Sequence, residues 1–222
     1  METFITISRI VHIIAGSLAL LSGLGAILAR KKVKVHKPFG KIYLYSMWVI
    51  FITAMYLSIY RQSVFLFFIG VFTFHSCITA FRSLKLKKLH LGQKPLKTDW
   101  AIEGFNVLAC GGLIILGIIL LLKNNIEFGI ICSVFGVIGI RLSASNIKRL
   151  RGKVKGANYW LLSHIGGMLG SYIGAITAFT VNNNRWMGMP QVVAWLAPTL
   201  IIVPFIFYEI ARFQKSPGIV NQ

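Results

Sequence analysis

Long apolar runs alternate along the chain with short segments rich in lysine, arginine, glycine or asparagine. A hydrocarbon core of about 30 Å takes about 20 helical residues to cross. Seven runs meet that length: residues 5–29, 42–60, 64–81, 101–122, 126–144, 161–181 and 191–211. The pattern predicts an all-α polytopic membrane helical bundle with seven transmembrane helices. No segment between the runs is long enough to bury a soluble core, so residues 1–222 read as a single integral membrane domain. The first run is long for a cleaved signal peptide and its basic cluster follows it rather than precedes it, which predicts an uncleaved helix.

Charge adds direction. The 24 Lys and Arg against five Asp and Glu give a net charge of +19, which in a soluble chain would suggest a nucleic-acid binder. Here the placement of the charges points to a membrane instead. The segments after the first, third and fifth runs carry six, six and five cations, and Arg212 and Lys215 follow the seventh. The opposite side holds only Arg9, Arg61, Lys123 and Arg185, and Arg141 lies inside the fifth run. Short basic loops stay cytoplasmic, which predicts the N-terminus outside and the C-terminus cytoplasmic. Trp100 and Trp160 at the inner boundary and Trp186 at the outer one agree with that frame. The partners implied are the lipid bilayer and anionic headgroups facing the basic loops, at about 1 kcal/mol per charge, with no nucleic acid.

Small residues at four-residue spacing mark faces where helices approach closely. The sixth run has Gly166, Gly170, Gly174 and Ala178 on one ridge and Gly167, Ser171 and Ala175, with His164, on the next. The first has Ser8, His12, Ala15, Gly16, Ala19, Gly23 and Ala26 on one face. These faces suit homo-oligomers or membrane partner proteins as well as the bundle itself. Cys77, Cys110 and Cys132 fall one each in runs three, four and five, without Cys-x-x-Cys spacing, and are expected to be buried thiols. No intramembrane lysine is present for a retinal Schiff base, and nucleotide-binding, hydrolase and metalloprotease motifs are absent. Whether the protein is an enzyme, and which residues would be catalytic, is left open by the sequence.

Ionisable residues inside a span usually face the bundle interior and mark function. Glu103 and Arg141 lie at similar depth on adjacent antiparallel spans, which predicts an ion pair, with Asn106 one turn deeper and Asp99 one turn shallower than Glu103. His164 enters at a similar depth, and His75 one turn deeper. Two histidines on separate helices can hold a haem iron from both sides, so His75 and His164 form a candidate b-type haem pair in a small membrane redox protein. No other metal site has suitable spacing. A buried network of Glu103, Asn106, Arg141 and His164 supports an alternative, a transporter or proton-coupled permease. A non-catalytic membrane scaffold is the third reading.

The segments His12-Ile-Ile-Ala-Gly16 and His36-Lys-Pro-Phe-Gly40-Lys-Ile-Tyr43, with Asp99-Trp100 and His164, Ser171-Tyr172 and Thr177-Ala178-Phe179, resemble the domain of unknown function 2306 family of multi-pass membrane proteins. That resemblance implies a bacterial cytoplasmic (inner) membrane protein of unassigned activity. It adds His12 and His36 to His164 as candidate site residues and supplies no mechanism.

Overall fold

The structure is a computed structural model and describes residues 2–154 and 156–214. Lys155 and Lys215, two of the cations counted above, lie outside the described residues. The elements are α1 (Glu2–Leu28), α2 (Val33–Tyr60), α3 (Val64–Ser83), a 3-10 turn (Leu89–Leu91), α4 (Lys97–Leu122), α5 (Ile126–Leu150), α6 (Tyr159–Asn182), the short α7 (Asn184–Met187) and α8 (Gln191–Gln214). Among the described residues there is no strand, and seven helices are long and apolar enough to cross a membrane.

The helices run past the apolar stretches that announce them. The second starts at Val33, so His36 to Gly40 lie in its opening turns, and α5 continues to Leu150 rather than stopping at residue 144. Lysine and arginine are good helix formers, so a helix continues where hydropathy has already fallen. Burial is inverted relative to a soluble protein. Leu108, Leu122 and Leu200 are 74%, 80% and 73% exposed, while Asn106, Ser143 and Ser171 are fully enclosed. Such a surface suits hydrocarbon as solvent, with polar side chains satisfied inside.

The chain packs as two compact units, one up to Phe74 and one from His75 onward, with the boundary inside α3. In the first, α1 and α2 form an antiparallel hairpin. Ala15, Ala19, Gly23 and Ala26 are the buried stripe of α1, and the Phe39 ring lies so close to Gly25 that a Cβ there would stand 2.7 Å from it. Phe74 stacks on Phe51 and meets Trp48 edge-on, at centroid distances of 4.3 and 4.6 Å.

In the second unit α4 pairs with α5, and α8 packs on α5 and α6. Glycines set the α4–α5 distance. A Cβ on Gly117 would stand 2.9 Å from the Ser133 nitrogen, and one on Gly136 would stand 2.9 Å from the Cys110 carbonyl, so the two backbones are in direct contact. Gly167 of α6 does the same against α3, where a Cβ would meet that of Ala80 at 2.7 Å and the Ser76 carbonyl at 3.0 Å. Both small ridges of α6 are thus used, since Gly166 faces Ile210 of α8. Pro198 and Pro204 lie within α8, which runs through both. All three cysteines are buried free thiols.

Candidate functional site

Three helices of the second unit carry polar side chains in register. On α3 they are His75, Thr79 and Arg82; on α4, Asp99, Glu103 and Asn106; on α5, Ser143, Asn146 and Arg149. Spacings of three, four and seven residues keep each set on one helix face. Because α3 and α4 run antiparallel, the deeper member of one set meets the deeper member of the other.

His75 Nε2–H donates to Glu103 Oε2 at 2.8 Å, and both residues are only 3% exposed. Toward the basic end, Arg82 grips Asp99 with a two-pronged fork, Nε to Oδ1 at 2.7 Å and Nη2 to Oδ2 at 3.0 Å. Asp99 Oδ2 also accepts the Leu96 N–H at 2.8 Å, so the same carboxylate caps the start of α4. One turn inward from Glu103, Asn106 Nδ2 donates to Ser143 Oγ at 2.9 Å and to the Gly139 carbonyl at 3.3 Å. The Cys110 thiol donates to Asn106 Oδ1 at 3.6 Å. Buried polar groups cost little when paired in this way.

Beside these pairs lies a small cavity of about 30 Å³, room for roughly two water molecules. Thr79, Arg82, Glu103, Asn146, Arg149 and Tyr159 are among its walls. The Tyr159 hydroxyl donates to the Leu86 carbonyl and accepts the Leu89 N–H at 2.9 Å, pinning the α3–α4 connection to the start of α6. Arg149 donates from Nη2 to Asn146 Oδ1. In this cluster two buried nitrogens, His75 Nδ1 and Arg149 Nε, have no hydrogen-bond partner among the described residues. With His75 neutral, Asp99 and Glu103 balance Arg82 and Arg149.

The profile of the family described as predicted membrane protein, DUF2306, matches residues 9–143. The chain belongs to this family. No curated protein and no solved structure matches it. The DUF2306 match contains the His75–Glu103, Arg82–Asp99 and Asn106–Ser143 contacts. Arg149, Tyr159 and His164, together with the resembling segments at residues 171–179, lie beyond it.

The structure of this DUF2306 protein corrects two expectations. Arg141 does not pair with Glu103; it is exposed, and the Glu103 partner is His75. Gly139 and Ser143 face α4, and a residue two positions from each is turned by about 200° to the far side of α5. Nor do His75 and His164 face each other across an open slot. His75 turns to α4, while half-buried His164 bonds through Nδ1 to the Ala80 carbonyl at 3.2 Å. The Gly167 contact with Ser76 and Ala80 brings α3 and α6 together at that level, where a porphyrin would need space between the helices. These residues therefore do not fit a haem held between them.

His12 and His36 both belong to the α1–α2 hairpin and bond across it, His12 Nδ1 to Thr53 Oγ1 at 2.8 Å and His36 Nδ1 to the Ala26 carbonyl at 2.9 Å. Among the described residues no group of three or more His, Cys, Asp or Glu is placed to hold a metal ion. Arg82, Arg149 and Tyr159 were assigned to loops by hydropathy. For the two arginines the signal is helical phase: Arg82 stands seven residues from His75, and Arg149 three from Asn146.

Proposed function

We propose that this multi-pass membrane protein is a proton-coupled transporter in which the His75–Glu103 pair takes up and releases the proton. The observation that carries this reading is the pair itself, an imidazole and a carboxylate in contact at 2.8 Å and almost wholly enclosed. Histidine exchanges protons near neutral pH, a coupled pair titrates as one unit, and ionisable groups within spans mark proton relays in pumps and transporters. The cavity bounded by Glu103, Arg149 and Tyr159 gives the proton a short path toward the basic end. The asymmetry of basic segments supports that end as cytoplasmic, and the family resemblance is what implies a bacterial inner membrane.

The test is proton flux into vesicles holding the purified protein and an internal pH dye, driven by an imposed potential. Wild-type protein is expected to move protons, and Glu103→Gln, which keeps shape but removes the titrating group, to slow them by about tenfold or more. Equal rates for the two proteins, or no movement by wild type, overturns the reading.

A further inference from the structure

Of the two arginines around the cavity, one has a carboxylate in contact and the other has none among the described residues. Arg82 has both prongs of its fork on Asp99. Arg149, by contrast, touches Asn146, and no carboxylate lies within ion-pair distance of it among the described residues. Its Nε is buried and without a hydrogen-bond partner among the described residues, although the residue borders the cavity. Arg149 as a whole is half-buried, and a guanidinium held partly out of water favours an anion in contact.

The charged and titratable groups around that space come from every packed element: Arg82 from α3, Asp99 and Glu103 from α4, Arg149 from α5 and Tyr159 from α6. His75 lies behind Glu103, and His90 of the 3-10 turn meets the Tyr159 ring edge-on. With His75 neutral and Glu103 ionised, these charges cancel and the space suits water. One proton on the His75–Glu103 pair, on either partner, leaves the cluster at a net charge of about +1 by the ordinary charge states. The surplus then belongs to Arg149.

We infer that the cavity beside Arg149 binds a small monovalent anion of formate or chloride size, together with one proton on the His75–Glu103 pair. The size limit follows from the space, roughly two waters. The linkage follows from electrostatics, because ionised Glu103 shares the cavity and repels an anion until a proton neutralises the pair. This inference rests on the proton-carrying role of that pair and names the solute that accompanies the proton.

Equilibrium binding of radiolabelled formate to the purified detergent-solubilised chain tests it, between about pH 5.5 and about pH 8, the range in which histidine titrates. Saturable binding at one site is expected, tightening by up to about tenfold per pH unit on acidification. Chloride should displace the label and gluconate should not; equal displacement by both overturns the assignment. Arg149→Gln should lose binding. Arg149→Lys, which keeps the charge, should retain a weaker form and so separate a lost site from a lost fold. Glu103→Gln should bind at about pH 8 with the low-pH affinity of wild type. Wild-type protein that binds no formate, or binds it equally at all pH values, overturns the inference. If Glu103-dependent proton flux persists in that case, the transport reading survives without it. If pH-linked binding is found without flux, the transport reading fails and the anion site stands.

Discussion

Asp99 serves two elements with one carboxylate, capping α4 through Leu96 and receiving the Arg82 fork. Asp99→Asn keeps an acceptor for the cap but removes the charge that balances a mostly enclosed guanidinium. Breaking such a pair by removing one partner typically costs about 3 kcal/mol or more. The expected result is a clearly lowered melting temperature in detergent, with Arg82→Lys giving a smaller drop because a point charge loses the fork geometry but not the attraction. At this scale the sequence was readable for depth and poorly readable for direction. Glu103, Asn106 and His75 stood out because polar groups are conspicuous in apolar runs. Arg141 stood out for the same reason, yet only its phase relative to Gly139 and Ser143 shows that it points away. Depth follows from counting residues, whereas direction depends on which face meets a neighbour, and hydropathy does not report that.

Among the helices, glycine position decides which contacts exist. Gly136 lets the backbone of α5 rest on that of α4 at Cys110 and Ile114, and the same pairing brings Ser143 to Asn106. Gly136→Ala places a methyl group against backbone atoms that cannot rotate aside. A cost of about 1–3 kcal/mol is expected from overpacking, measurable by unfolding in detergent. A matched substitution at Gly111, where an added Cβ meets nothing within 4 Å, should be nearly silent. The seven spans and the small-residue ridges of α1 and α6 were legible, since both are properties of a single helix. The last turns of α5 and the first of α4 were not, because charged side chains lower hydropathy without ending a helix. Arg149 was missed for that reason.

For the molecule as a whole, sidedness organises the chemistry. The basic segments lie after α1, α3 and α5, and the proposed orientation puts them in one aqueous compartment. Cysteine substitutions at Lys37 and Lys153 should therefore react with an impermeant thiol reagent from the same side of intact vesicles, and labelling from opposite sides overturns that orientation. The antiparallel pairing of α3 with α4 also bears on how the chain reaches the bilayer. Taken alone, α3 brings a base and a cation into lipid, and α4 brings two acids, each ionised group costing about 2.5–3.5 kcal/mol at mid-span on insertion scales. Joined, they neutralise one another at His75–Glu103 and Arg82–Asp99. The hairpin, rather than either helix singly, is then the unit that the insertion machinery can release into lipid at low cost.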